Sequence, residues 1–185
     1  DLVNNHFGHL RPRTVAATHP EPAPTPHVTL RHKAELEQSH LVIGARCPSL
    51  LSEDHYAANI LCTILGGGMS SRLFQSVRED KGLVYTIFSA LTEYVDTGFL
   101  SIYAGASAEN IEPTIAATMH EVRRLKTAAV SPAELQRNKD QLKTSLMLAL
   151  ESSSARMNAI ASQEMTWGEF VSPDEVIEHI NAVTT

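Results

Sequence analysis

The sequence predicts an α+β fold, a two-layer sandwich in which a mostly antiparallel sheet carries helices on one face. Three observations lead there. Stretches with the two-residue alternation of half-buried strands fall in separate pairs, with helices between and after them, so the pattern is not the strict strand–helix alternation of a parallel sheet. Apolar residues at helical spacing fill the intervals and the last third of the chain. Two Ser-Pro-x-Glu boxes, Ser131-Pro132-Ala133-Glu134 and Ser172-Pro173-Asp174-Glu175, open helices in that third.

Taken in order, residues 1–26 read as a proline-rich linker. Five of the nine prolines lie there, at Pro12, Pro20, Pro22, Pro24 and Pro26, and alternating prolines favour an extended chain with few backbone donors. Leu2, Val3 and Phe7 suit the tail of a preceding helix, and the absence of an initiator Met leads us to expect a fragment whose upstream portion is missing. The folded domain is expected over 27–185. Val28–His32 and Ser39–Cys47 read as an antiparallel strand pair, the second rich in β-branched residues and stopped by Cys47-Pro48. A helix over 53–65 follows, with Ser52 placed to cap it, and Gly66-Gly67-Gly68 ends it. The spacing of Leu73, Phe74 and Val77 predicts a second helix over 70–81, closed by Gly82 at a left-handed position. Strands over 83–94 and 99–106 are joined by a short hairpin loop at Val95–Gly98. Leu100, Ile102, Ala104 and Ala106 alternate, so that face should pack on the core. Helices over 110–128, 131–151, 154–167 and 172–183 complete the chain, with Pro113 tolerated in a first turn.

At 185 residues, 43% hydrophobic and 19% charged, the chain has the composition of a soluble globular protein able to bury a core without disulfides. A formal net charge of -6 argues against a general nucleic-acid binder. The one basic cluster, Arg123, Arg124 and Lys126, falls near a helix C-terminus, where it complements the dipole. Cys47 and Cys62 form no metal or redox motif and read as free thiols in apolar surroundings. No apolar run is long enough to span a membrane.

Few motifs carry chemistry. A glycine-rich turn before a helix can cradle phosphate, but no Gly-Lys-Ser/Thr follows and the dinucleotide spacing is absent. The commoner reading of such a turn is a flexible connection between two helices, since a lone glycine run is a weak signal for phosphate. Neither His-Glu-x-x-His nor its inverse occurs. His6/His9 and His32/Glu35 could each share a helix face, but neither pair has an evident third ligand, and Arg124 stands where a partner for His120-Glu121 would be needed. There is no Gly-x-Ser-x-Gly elbow. What remains is Arg78 and Tyr85, seven residues apart, one on the last helical turn and the other at the strand entrance. A forked cation and a neutral hydroxyl donor suit a peptide carbonyl or a developing oxyanion. On residue types alone the commoner reading is an exposed helix-end Arg and a half-buried strand Tyr.

The run Leu65-Gly-Gly-Gly-Met-Ser-Ser-Arg-Leu-Phe74, followed by Val77-Arg-Glu-Asp-Lys-Gly-Leu-Val-Tyr85, resembles the C-terminal half of pitrilysin/insulinase-type zinc metallopeptidases, the family of mitochondrial processing peptidase and many bacterial processing proteases. Glu37-Gln-Ser-His-Leu41, Tyr94-x-Asp96-x-Gly98 and the segment opening at Glu134 add matches in the same order, so the resemblance covers about residues 28–183. It implies a metallopeptidase half-domain with ferredoxin-like elements that binds extended peptides, with Arg78 and Tyr85 as the catalytic pair touching substrate carbonyl and oxyanion, and Gly66, Gly67 and Gly68 as a substrate-proximal loop. It implies zinc in the parent enzyme, which activates water and polarises the scissile carbonyl. No zinc motif occurs in this chain, so its ligands belong elsewhere and the domain is expected to be inactive alone. The implied partners are an N-terminal zinc-bearing half or a zinc-bearing partner subunit, and a peptide substrate. Two alternatives stay open: a non-zinc subunit of a heteromeric peptidase, and a non-catalytic assembly subunit of the same fold. The expected compartment is the bacterial cytoplasm or periplasm rather than the mitochondrion. Self-association of an isolated domain through its exposed inner face also stays open.

Overall fold

The computed structural model describes residues 2–11 and 38–185. The expected strand at 28–32 and most of the proline-rich stretch lie outside the described residues. A short helix α1 (Leu2–Phe7) is exposed throughout. Then follow β1 (Ser39–Cys47), α2 (His55–Gly66), a π-wound helix (Phe74–Glu79), β2 (Thr86–Glu93), β3 (Gly98–Ala106), a 3-10 turn and α3 (Ile111–Thr127), α4 (Pro132–Ala149), α5 (Ser153–Trp167) and α6 (Pro173–Ala182).

The described strands form one antiparallel sheet in the order β1–β3–β2. Register follows the apolar alternation. Leu41, Ala104 and Ile87 form one cross-strand row, and Ile43, Ile102 and Ser89 form the next. These rows face the helices, and Ile87, Ile102, Ala104 and Ala106 are buried there with Leu65, Leu73, Val77, Val84 and Ala117. A slip of one residue would turn every one of them to the other side, where Val42 and Phe88 stand 61% and 45% exposed. One face covered and one bare is the expected two-layer α+β arrangement. A second apolar cluster, built on Ile60, Ile64 and Ile180, ties α2 to α6.

Helix ends follow the capping chemistry closely, with two departures. Ser172 accepts from Glu175 N–H, and the Glu175 carboxylate accepts from Ser172 N–H in return, giving a complete box. Ser131 accepts from Glu134 N–H at 3.2 Å, but the Glu134 carboxylate turns away to another partner, so that box is half made. Ser52 does not cap α2. Its Oγ accepts from Asp54 N–H at 3.2 Å, and the helix starts at His55, two residues later than expected, because residues 49–54 form turns first. On α4, the ammonium of Lys139, 6% exposed, reaches the backbone carbonyls of Asn181 and Val183 and satisfies the C-terminal end of α6.

Candidate functional site

The segment from Gly66 to Tyr85 joins α2 to β2 and contains all five expected site residues. Gly66 is the last residue of α2 and is buried against β2: a Cβ there would lie 2.4 Å from Ser89 N. Only glycine permits this approach, which also lets Ser89 Oγ–H donate to Cys62 O at 2.7 Å. Gly67 and Gly68 form the turn itself. It is tied down rather than slack. Gly67 N–H donates to Thr63 O at 3.0 Å, and Gly67 O accepts from Gln141 Nε2 of α4 at 3.2 Å. Gly68 O accepts from both the N–H and the hydroxyl of Ser71. Gln75 Nε2 donates to Met69 O at 2.7 Å. These bonds correct the picture of a flexible connection.

The expected α-helix over 70–81 is present but widened. Gln75 N–H donates to Ser71 O, an α-helical span, whereas Asp80 N–H donates to Gln75 O at 2.9 Å, one residue further. Leu73 and Val77, both 0% exposed, hold its inner side in the core. A π-turn takes more residues than the 3.6 of an α-turn, so residues four apart stand more directly over one another. Arg78 accordingly lies over Phe74, its Cζ 4.6 Å from the ring centroid. Gly82, at φ 61°, reverses the chain. Its N–H donates to Arg78 O at 3.0 Å, and Leu83 N–H donates to Val77 O at 3.1 Å. Each bond is one residue wider than in an α-helical Schellman end, as the π-winding requires.

After buried Val84, Tyr85 N–H donates to Gly105 O at 2.8 Å, which pins the strand entrance to β3. The continuous strand begins at Thr86 rather than Leu83, because residues 82–84 are spent leaving the helix. The structure thus places Arg78 and Tyr85 on the surface on either side of the Gly82 turn. Tyr85 is 61% exposed. Neither side chain makes a hydrogen bond or ion pair among the described residues, so both donors are available to a ligand.

Sequence reasoning missed the partner of Glu134. Arg72 Nε donates to Glu134 Oε1 at 2.8 Å and Nη2 to Oε2 at 2.7 Å, a two-pronged pair with side chains 14% and 18% exposed. These bonds hold the Glu134 carboxyl below the usual carboxylate range and push the Arg72 guanidinium up. The only signal was an Arg in the first turn of a helix, and the capping-box reading of Glu134 hid its partner.

The remaining candidates are spent within the fold. Glu121, 2% exposed, pairs with Arg124 at 3.0 Å. His55 Nδ1 lies 2.6 Å from Glu93 Oε1, and Asn59 donates to Glu93 Oε2 at 3.2 Å. Burial pushes the half-buried Cys47 and buried Cys62 thiols up, with Glu93 adding to each, so neither is poised as a thiolate. His6 and His9 lie on and beside exposed α1, and His32 and Glu35 fall outside the described residues. Among the described residues, no three His, Cys, Asp or Glu side chains are grouped to hold a metal, and no helix is long and apolar enough to cross a membrane.

Comparison with known proteins gives the family. A family model described as the peptidase M16 inactive domain matches residues 1–142. A Bacillus subtilis protein called an uncharacterized zinc protease is 40% identical over 83% of this chain and 38% of its own length. The chain spans about two fifths of the length of the curated relatives it matches. A solved peptidase M16 inactive domain from Pseudomonas fluorescens superposes with a TM-score of 0.68 at 25% identity, covering 80% of this chain and 35% of that one. A chain in the structure of Complex III2 from Candida albicans gives 0.70 at 25% identity, covering 80% and 37%.

Proposed function

The chain belongs to the peptidase M16 family, matching its inactive domain, and from that premise we propose that it is the C-terminal half of a zinc endopeptidase, holding an extended peptide against a second, zinc-bearing half. The observation that carries this is the pair Arg78 and Tyr85. Both are exposed, neither has a polar partner among the described residues, and both stand on a base that is buried and hydrogen-bonded. The planar fork of Arg78 suits a backbone carbonyl of the peptide. The Tyr85 hydroxyl offers a neutral donor to the oxygen on which charge develops. Gly67 and Gly68, in the tied-down turn at the start of the same segment, are the substrate-proximal loop in this reading. Residues 1–26 then connect this domain, 27–185, to the preceding half.

The described residues do not fit zinc, since no donor set of the required size is assembled. In this reading the metal and its ligands belong to the partner half, and the domain alone does not hydrolyse peptides. The test uses the assembled, zinc-loaded protein. Arg78→Ala or Tyr85→Phe should each lower kcat/KM for a quenched fluorogenic peptide by roughly ten- to a thousandfold, the range for losing one oxyanion donor. Unchanged kinetics in both would remove the proposed role. The likeness to a chain of Complex III2 supports a second reading, a non-catalytic subunit of a larger assembly. That reading requires the assembled protein to turn over no peptide at all.

A further inference from the structure

We infer that Arg72, Glu134 and Phe74 are positioning residues that aim Arg78 at the bound peptide, acting through the π-wound turn; this rests on the reading of Arg78 just given and deepens it. The Arg78 guanidinium has no polar partner among the described residues, so its direction is set by the backbone that carries it and the ring beneath it. The backbone is fixed at both ends. At the C-terminal end Gly82 closes onto Arg78 O and Leu83 onto Val77 O. At the N-terminal end the fork of Arg72 grips the Glu134 carboxylate with both prongs. One face of α4 holds the turn twice, since Gln141, two turns on from Glu134, binds Gly67 O.

A partly buried ion pair is a poor device for stability, because apolar residues of similar volume do as well or better. What it supplies is a fixed relative geometry. With both ends held and Leu73 and Val77 locked in the core, the winding between them decides where Arg78 points. The π-winding sets its Cζ 4.6 Å from the Phe74 ring centroid, a cation–π seat that leaves the N–H groups without a polar partner among the described residues.

The test is a double-mutant cycle on the assembled protein with a quenched fluorogenic peptide. Arg72→Lys keeps the charge and removes the second prong; Phe74→Leu keeps an apolar side chain and removes the ring. Each should lower kcat/KM about ten- to a hundredfold, the scale of a small misplacement of a binding group. Neither should lower it further when Arg78 is already Ala, because both act through Arg78. The exchanged pair Arg72→Glu with Glu134→Arg should recover part of the loss of either single change. Thermal melts identify any variant that fails to fold, in which case Phe74→Leu alone decides. If turnover is absent, the same cycle is read in the affinity of a fluorescein-labelled extended peptide. Losses that multiply with that of Arg78→Ala overturn the inference, as do unchanged kinetics in Arg72→Lys and Phe74→Leu while Arg78→Ala is damaging. A harmless Arg78→Ala instead overturns the functional reading beneath it.

Discussion

The two ends of the sheet use their polar residues in opposite ways. At the hairpin end, where Glu93 pairs with Gly98, a cluster of polar and ring groups is satisfied within the fold. His55, Asn59 and Glu93 bind one another, and Tyr56 stacks on His179 with ring centroids 4.9 Å apart. At the other end, beside the Gly82 turn, the interior is equally well made, with Leu73, Val77 and the Arg72–Glu134 pair. Yet Arg78 and Tyr85 project outward with no polar partner among the described residues. The difference teaches that openness at the second end is not looseness. Buried side chains and specific hydrogen bonds lie beneath the two donors, which fits groups held ready for a ligand, while the His55–Asn59–Glu93 cluster at the hairpin end is spent on its own neighbours.

Changes to the buried base should have the largest effect on the fold. Leu73→Ala removes a side chain with no exposure from between the π-turn and α3, and should cost about 2–5 kcal/mol in urea unfolding. Tyr85→Phe reverses the pattern. It should lower turnover of the assembled protein by roughly ten- to a thousandfold and leave the melting temperature of the domain unchanged. At the hairpin end Glu93→Ala should do the opposite of Tyr85→Phe. It takes the carboxylate from His55 and one of two acceptors from Asn59, which keeps the His55 carbonyl, costs about 1–3 kcal/mol of stability, and leaves kcat/KM of the folded protein at the wild-type value. If Glu93→Ala impaired turnover at full stability, the division between the two ends would fail. Gly82→Ala is smaller still. A side chain at φ 61° costs about 1–2 kcal/mol, and any extra loss of turnover would report on the direction of Arg78.

The sheet and the helices after it were legible in the sequence because two periodicities and two Ser-Pro-x-Glu boxes act locally. Leu100, Ile102, Ala104 and Ala106 need only alternate for their register to be chosen. Gly82 was legible for a similar reason, since a helix that must reverse needs a left-handed residue. The π-winding was not. Leu73, Phe74 and Val77 satisfy an α-helical stripe equally well, and the packing of this turn against β2 and α3 is tertiary and leaves no mark in the local pattern. The Arg72–Glu134 pair was hidden for a tertiary reason too, since its partners lie 62 residues apart and each has a plausible local role. Of the site, the residue identities came from the resemblance. Spacing alone put Arg78 and Tyr85 near one turn but left their exposure and the buried base beneath them undetermined.

The Arg72–Glu134 pair offers the mildest way to separate the two ends, through pH. The Glu134 carboxyl lies below its ordinary value in the folded protein, first because Arg72 hydrogen-bonds to it and further because Arg72 is charged, against an opposing effect of burial. A carboxyl lowered on folding stabilises the folded state fully above its unfolded value, about 4.3 for Glu. That contribution fades as the pH falls from there through the lowered native value. The side chains keep some contact with water, so the contribution stays below the ~3–5 kcal/mol of a fully buried pair. Urea midpoints of the wild type and Glu134→Gln should therefore differ at neutral pH and converge as the pH drops below about 4. Other carboxylates titrate in both proteins and cancel in the difference. A gap that stays constant into acid would mean that Glu134 acts by shape rather than charge, and the grip on the π-turn would then rest on Gln141 and the Gly82 closure.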